Sequence, residues 1–100
     1  MARRYITELR TYHAVDELWK HRLDEEDVLE VSWDDPTFFR DIVDGRELMI
    51  GRTFGGRLLT IVVEPTQHDG VWDVVTGWDS DKGERTAWQK ARPKLAARKK

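Results

Sequence analysis

The first clear hydrophobic pattern in the chain is that of an amphipathic helix beginning at Ala14. Side chains at helical spacings of three and four share one face: Val15, Leu18, Trp19 and Arg22. This helix is predicted to stop near Arg22 or Leu23. The preceding residues 5–9 fit either a short opening strand or the start of a helix.

A second helix is predicted to begin at Asp24, whose carboxylate can accept hydrogen bonds from the free N–H groups of the first turn. Leu23 before this cap and Val28 after it match a hydrophobic staple. The buried side of the helix is expected to comprise Val28, Val31 and either Ser32 or Trp33. The helix should end before Pro36, because proline disfavours helix in the residue that precedes it.

The second half of the chain changes to the period of strands. Residues 47–54 and 57–64 are interpreted as two strands joined at Gly55-Gly56, and residues 71–78 as a third strand. Residues 58–63 are apolar or β-branched at even and odd positions alike, and these positions face opposite sides of a strand. The pattern therefore predicts a central strand covered on both faces.

A last helix is predicted from the spacing of Asp81 and Glu84, which matches a capping box. The side chains expected along one side of it are Glu84, Trp88, Ala91 and Leu95. Pro93 is expected to kink or end this helix, because proline removes a backbone donor and its ring clashes with the preceding turn.

Together these elements predict one α+β domain, because 100 residues suffice for a single hydrophobic core. We expect the order (β)-α-α-β-β-β-α, with a three- to four-stranded antiparallel sheet packed on helices. Residues 1–92 are expected to form the compact domain and residues 93–100 a basic C-terminal tail.

Composition narrows the class of protein. The chain has no cysteine, which excludes disulfides, thiol catalysis and zinc–thiolate sites. No apolar run approaches the roughly 18–20 residues needed to cross a bilayer. The basic N-terminus is not followed by the apolar stretch of a secretory signal. We therefore expect a soluble, cytoplasmic protein without a membrane partner.

The net charge of −2 conceals a strong asymmetry. Residues 16–47 carry twelve acidic side chains against four basic ones, whereas residues 82–100 carry eight basic ones against Glu84 alone. Three interpretations of the basic end remain open. It could neutralise the phosphates of a nucleic acid, lie against an acidic partner or the chain's own acidic segment, or be a solvated terminus.

The sequence shows neither a metal site nor a cofactor site. The histidines, His13, His21 and His68, lie far apart and lack a second ligand at metal-binding spacing. The glycines occupy strand and turn positions and do not form a phosphate-binding loop. We therefore expect no metal and no cofactor, and we exclude an ordinary metabolic enzyme.

RNA cleavage needs no cofactor, because the 2′-OH can attack the neighbouring phosphate when side chains move protons and stabilise negative charge. The residues of suitable type are His21, Arg52, Arg57, His68, Lys82, Glu84 and Arg85. Each also has a structural interpretation. His21 fits a helix C-terminal cap, Arg57 an exposed position beside a turn, and Glu84 the partner in a capping box.

The order of several short motifs resembles the BrnT family of bacterial toxins. These motifs are Lys20-His21, the acidic helix start at residues 24–28, residues 46–51, 59–63 and 74–79, and finally Lys82, Glu84-Arg85 and Trp88. The resemblance covers about residues 19–88, most of the chain. It depends on the order and spacing of the motifs rather than on any one of them.

The resemblance implies a RelE-like fold and a metal-independent ribonuclease toxin that acts on RNA and is neutralised by a small ribbon-helix-helix antitoxin. A homo-oligomer is left open. Carried over by position, Lys20 and His21 match the family's Lys-His pair. The closing motif is matched by Lys82, Glu84 and Arg85.

One position departs from the family pattern. The third strand of the family typically ends in an arginine that faces the site, whereas this chain has Trp78 there. The loss of that guanidinium would remove charge stabilisation, which Arg52 or Arg57 could supply from a neighbouring strand.

These considerations predict a site of two groups of residues. The predicted catalytic residues are His21, Arg52, Arg57, Lys82, Glu84 and Arg85. The predicted substrate-binding residues are Lys20, Trp78 and Lys90.

Two further functions stay open. The first is a catalytically inactive protein–protein interaction or regulatory module on the same fold, which would expose tryptophans as anchors for a partner. The tryptophans considered for this are Trp33, Trp72, Trp78 and Trp88, although core packing is the expected role of Trp19 and Trp88. The second is plain nucleic-acid binding through residues 90–100.

Overall fold

The computed structural model describes the backbone of residues 6–34, 37–40 and 45–98, and the side chains of residues 6–34 and 45–91. Within these ranges the elements follow in the order β1 (Glu8–Arg10), α1 (Val15–Lys20), α2 (Glu25–Trp33), β2 (Thr37–Arg40), β3 (Glu47–Arg52), β4 (Leu58–Pro65), β5 (Val71–Asp79) and α3 (Lys82–Arg98). The predicted α+β class is confirmed, as is the succession of two helices, a strand meander and a closing helix.

The strands form one sheet in the order β1-β5-β4-β3-β2. Strands β3, β4 and β5 are the antiparallel meander that the sequence predicts. The expectation of a purely antiparallel sheet is wrong, because β1 pairs parallel to β5 at the sheet edge. Strand β2 pairs antiparallel to β3 and was not predicted. Strands of three and four residues are too short to show the alternation that identifies a strand.

The predicted helix caps are present. Asp24 accepts from the backbone N–H of Asp27 at 2.9 Å, while the Asp27 carboxylate accepts from the backbone N–H of Asp24 at 3.1 Å. Helix α1 ends at Lys20, earlier than predicted, and Arg22 in the connecting turn has a φ of 60°. This left-handed conformation cannot continue a helix, so the chain reverses there between α1 and α2.

The larger part of the core lies between one face of the sheet and the two N-terminal helices. Its buried side chains include Leu18, Leu23, Val28 and Val31 from the helical half and Met49, Leu59, Ile61, Val63 and Val74 from the strands. On the opposite face, Trp88 of α3 packs with Ile50 and Leu58. Strand β4 is therefore covered on both faces, as predicted, and the predicted core position of Trp88 is confirmed.

Trp19, which was predicted to pack in the core, is exposed, and so is Trp33, which was one of two alternatives with Ser32 for the buried side of α2. Trp19 is 71% exposed, and Trp33 is 65% exposed. Successive residues of a helix point in different directions. Leu18 is the buried residue of the six-residue helix α1, and the adjacent Trp19 therefore points outward. In α2, Val28 and Val31 fill the predicted buried side, which leaves Trp33 at the end of the helix on the surface.

Helix α3 continues to Arg98 and therefore does not end at Pro93. The predicted boundary between a domain at residues 1–92 and a tail at residues 93–100 thus falls inside a helix. The predicted position of Leu95 along the helix side lies outside the described side chains. Among the helices that the structure describes, none has the length and apolar character needed to cross a membrane.

Candidate functional site

The end of α1, the end of β5 and the start of α3 meet beside the β3–β4 turn. Here the rings of His21 and Trp78 lie with their centroids 6.5 Å apart and their planes tilted by 59°. His21 follows the last residue of α1, where its backbone N–H caps the helix by donating to the carbonyl of Leu18. Its side chain is exposed to solvent. The structure thus brings together an accessible imidazole and an aromatic ring from the predicted site.

Glu84 joins this group through the indole of Trp78. The Nε1–H of Trp78 donates to Glu84 Oε1 at 3.0 Å and lies 3.3 Å from Oε2. The same carboxylate accepts from the backbone N–H of Asp81 at 2.8 Å, and Asp81 Oδ1 accepts from the backbone N–H of Glu84. The predicted capping box is therefore present. It fixes the carboxylate of Glu84 against Trp78.

Arg57 is partly exposed, and its guanidinium is held by carboxylates. Its guanidinium makes a two-pronged pair with Asp79, with Nη2 lying 3.1 Å from Oδ2 and Nε 3.2 Å from Oδ1. Nη1 donates to the backbone carbonyl of Arg22 at 3.1 Å and lies 3.9 Å from Asp27 Oδ2. The hydrogen bonds with Asp79 raise the pKa of Arg57, and burial opposes them only partly. Arg57 therefore joins β4, β5 and the α1–α2 turn.

Arg52 lies on the face of the sheet that α3 covers, beside Trp88. Its guanidinium carbon is 5.4 Å from the centroid of the Trp88 ring, a distance suited to a cation–π contact. Its Nε is 3.7 Å from Asp34 Oδ2, the oxygen that also accepts from the backbone N–H of Arg52 at 2.8 Å. These contacts tie the end of α2 to β3 and hold Arg52 against α3.

The other predicted residues have separate surroundings. Lys20 forms an exposed ion pair with Glu17 at 2.9 Å, a hydrogen bond that raises the pKa of Lys20 and lowers that of Glu17. Lys82, Arg85 and Lys90 are exposed along α3, and Lys82 and Arg85 flank Glu84 in its first turns. His68 lies in the β4–β5 loop, at the far end of β5 from Trp78, about 20 Å away at roughly 3.3 Å per residue of strand.

The arrangement supplies one accessible imidazole, one aromatic ring and cations at the start of α3. A histidine side chain can exchange a proton near neutral pH, and an aromatic ring can stack on a nucleobase. The carboxylate of Glu84 is occupied by two N–H donors, so it holds Trp78 in place. Sequence analysis missed Asp79 and Asp27 as partners of Arg57. That pairing depends on strand register and helix packing, which no local motif reveals.

A groove at the α1–α2 junction also escaped the sequence analysis. It has a volume of about 200 Å³ and is lined by Trp19, Arg22, Leu23 and Asp24. These residues span the end of α1, the connecting turn and the cap of α2. Their only sequence signal is the conjunction of an aromatic, a cation and a carboxylate within six positions.

Within the described part of the chain, no three histidine, aspartate or glutamate side chains are grouped so that they could hold a metal ion. Comparison of the chain with protein-family models, with curated proteins and with solved structures gives no match. The candidate site is therefore defined by the geometry around His21, Trp78 and Glu84.

Proposed function

We propose that the chain is a metal-independent ribonuclease toxin of the BrnT type, with a RelE-like fold, and that His21 moves protons during RNA cleavage. The observation that supports this best is the exposed imidazole of His21 beside the Trp78 ring, whose indole N–H is held by Glu84. An exposed histidine next to an anchored aromatic ring provides a proton acceptor and a surface for a base in one place.

The proposed reaction is internal transesterification of RNA. His21 removes the proton of a 2′-OH, the 2′-oxygen bonds to the adjacent phosphorus, and the bond to the 5′-oxygen breaks. Lys82 and Arg85, which are exposed in the first turns of α3, stabilise the negative charge on the phosphate. The leaving 5′-oxygen takes a proton from solvent or from Lys82. The products are a 2′,3′-cyclic phosphate and a free 5′-hydroxyl.

The presence of Trp78 in place of the family's arginine is compatible with the roles proposed for His21, Lys82 and Arg85. Arg57 is paired with Asp79 and so contributes less positive charge to an incoming phosphate than an unpaired arginine would. Lys82 and Arg85, which are exposed on either side of Glu84, would then supply the positive charge that the family has in the place of Trp78. A ribbon-helix-helix antitoxin that neutralises the toxin belongs to the same proposal.

Expression in bacteria tests the proposed toxin function. We expect the unaltered chain to arrest growth with loss of intact mRNA, and His21→Ala to relieve both effects. His68→Ala is the matched control, because that histidine is also exposed but lies at the other end of the sheet. Equal arrest by the two variants, with mRNA intact, would refute the proposal.

A second candidate function is a non-catalytic interaction module, which the surface aromatic pair of Trp33 and Phe54 favours. Their ring centroids are 6.0 Å apart, and Phe54 is 75% exposed. The backbone N–H of Phe54 donates to Glu30 of α2 at 2.8 Å, which fixes this turn against the helix. Anchored exposed aromatics are typical of binding hot spots.

Affinity capture separates the two functions. The interaction module predicts recovery of one stoichiometric protein, lost with Trp33→Ala plus Phe54→Ala, and no cleavage of RNA. Thr86→Ala serves as a surface control on α3, because that side chain is exposed and donates to the Lys82 carbonyl of its own helix. Capture that the double variant leaves unchanged would exclude the aromatic pair as the anchor.

A further inference from the structure

The groove at the α1–α2 junction has the size of a site for a single flat ring system. Its volume is about 200 Å³, below the roughly 300–1,000 Å³ typical of pockets for drug-sized ligands. Leu23 is buried and forms its apolar floor, while Trp19 presents a 71% exposed indole at its rim. The groove can therefore take one planar group against the indole, but not a large ligand.

The polar residues of the groove complement a nucleotide. Arg22 is exposed, and no carboxylate in the described part of the chain forms an ion pair with its guanidinium, so it can meet a phosphate. Asp24 Oδ1 accepts from the backbone N–H of Asp27, and the Asp24 carboxylate also interacts electrostatically with Arg57. Among the described residues, none donates a hydrogen bond to its second oxygen, which can therefore accept one from a ligand. The Trp19 indole can therefore stack on a base and the Arg22 guanidinium can pair with a phosphate. The Asp24 carboxylate can accept from an N–H group of the base.

The groove is preformed by contacts on its outer side. The φ of 60° at Arg22 turns the chain, and Arg57 Nη1 holds the Arg22 carbonyl at 3.1 Å. The backbone N–H of Leu23 donates to the carbonyl of Leu18 at 2.9 Å, which closes the end of α1. A site that is already ordered loses little conformational freedom when a ligand binds.

We propose that this groove binds one unstacked nucleobase of single-stranded RNA. The base stacks on Trp19, a neighbouring phosphate meets Arg22, and the free oxygen of Asp24 accepts from the Watson–Crick edge. Guanine suits the site best, because it carries two adjacent N–H donors on that edge. The groove is lined by Trp19, Arg22, Leu23 and Asp24, whereas the His21 ring lies beside Trp78. The identity of the ligand as RNA rests on the proposed function, whereas the groove itself does not.

Binding of an RNA that cannot be cleaved tests the inference without requiring activity. The probe is a fluorescein-labelled single-stranded RNA hexamer with a 2′-O-methyl group on every sugar and one central guanine, titrated with the full chain. Trp19→Ala is expected to weaken binding about tenfold, because stacking on an aromatic ring is worth about 1–3 kcal/mol per base. Tyr12→Ala, which removes another exposed aromatic ring that does not line the groove, should leave the affinity unchanged.

Asp24→Asn examines the contact with the base edge while it preserves the helix cap, because asparagine caps helices as well as aspartate does. Replacing one oxygen by an NH₂ donor should weaken the guanine probe several-fold. A probe with adenine in its place should be weakened less, because its Watson–Crick edge has only one donor group. Equal effects on the two probes would overturn the assignment of Asp24.

The nucleobase site and the ribonuclease function can fail separately. RNA that binds through Trp19 but is never cut would refute the ribonuclease and leave the nucleobase site standing. RNA that is cut, with Trp19→Ala binding the probe as tightly as the unaltered chain and Tyr12→Ala, would overturn the nucleobase site alone. No binding of either probe by the unaltered chain would also overturn it.

Discussion

The guanidinium of Arg57 and the carboxylate of Asp79 form a two-pronged ion pair, with Nη2 at 3.1 Å from Oδ2. The pair links the start of β4 to the end of β5, and the remaining Nη1 holds the carbonyl of Arg22. A side chain that sequence analysis assigns to phosphate binding thus also connects the sheet to the turn that carries His21 and the nucleobase groove.

Arg57→Ala should lower the free energy of unfolding by about 1 kcal/mol, because it removes a fork of charged hydrogen bonds and leaves a backbone carbonyl without its donor. Partial exposure of the pair keeps the effect at this size. Arg57→Lys should recover less than half of the loss, because an ammonium cannot reach Asp79 and the Arg22 carbonyl in the same fork. Urea denaturation measures both variants.

An unchanged stability of Arg57→Ala would assign this residue a different role. If Arg57→Ala leaves the urea midpoint unchanged but abolishes RNA cleavage, Arg57 acts on the substrate rather than on the fold.

Gly77→Ala should destabilise the fold by about 1–3 kcal/mol, the usual cost of overpacking a core. An added Cβ would lie 2.7 Å from Ile61 Cδ1, 3.2 Å from Leu23 Cδ1 and 3.2 Å from the Thr60 carbonyl oxygen. The Ile61 methyl group can turn away, but the backbone oxygen cannot move without disturbing the pairing of β4 with β5.

Gly83→Ala is the matched control for Gly77→Ala. An added Cβ at residue 83 would lie no closer than 3.5 Å to its nearest neighbour, Asp81 Oδ1. Alanine favours helix over glycine by about 0.5–1 kcal/mol, so this variant should be as stable as the parent or more so. Thermal denaturation of the two variants side by side gives the comparison. Equal losses would contradict the packing described around β5.

Glu84→Ala should lower the free energy of unfolding by about 1–2 kcal/mol, because it removes the acceptor of the Asp81 N–H and of the Trp78 indole. Trp78→Phe removes the indole donor together with part of the aromatic ring system, and the double-variant cycle separates the hydrogen bond from the lost packing. The double variant should be destabilised by about 0.5–1.5 kcal/mol less than the sum of the two single-variant destabilisations. Strict additivity would show that the indole–carboxylate hydrogen bond contributes nothing in solution.

Lys20→Ala should raise the pKa of Glu17 toward its ordinary value, because the hydrogen bond from Lys20 is the main cause of the lowered pKa. The Glu17 part of this pair stabilises the fold above the unfolded pKa of glutamate, about 4.3, and is lost as the pH falls through the folded pKa. The raised pKa of Lys20 acts in the alkaline direction, where its contribution is lost as the pH rises through it.

A carbon-detected NMR titration of the Glu17 carboxyl measures this change. Lys90→Ala is the control, since Lys90 lies on α3 rather than on α1, and it should leave the titration of Glu17 unaltered. An identical Glu17 titration curve in the parent and in Lys20→Ala would show that the surface pair does not form in solution.

Local chemistry made parts of this fold predictable. The caps at Asp24 and Asp81 depend on residues three positions apart, so their spacing is visible in the sequence. The meander of β3, β4 and β5 was visible because its strands are long enough to show their period. Strands β1 and β2 are shorter, and their partners are chosen by the tertiary fold.

The candidate site was less predictable than the fold. The sequence did not show that Asp79 forms an ion pair with Arg57, because the register of β4 against β5 brings the two residues together. Trp19 and Leu18 are neighbours of similar hydrophobic character, and only the packing of a six-residue helix decides which of them is buried. The groove exists because Leu18 is buried and Trp19 is exposed at its edge.

Cleavage of a single-stranded RNA by the purified chain, in the presence of a metal chelator, tests the central claim most directly. We expect fragments that end in a 2′,3′-cyclic phosphate by mass spectrometry, and none when the sugar at the cut is 2′-deoxy. His21→Ala should slow the reaction by about 100-fold or more, the contribution of a general acid or base, whereas His68→Ala should not. RNA that stays intact, or that both variants cut at the parental rate, would contradict the proposed role of His21.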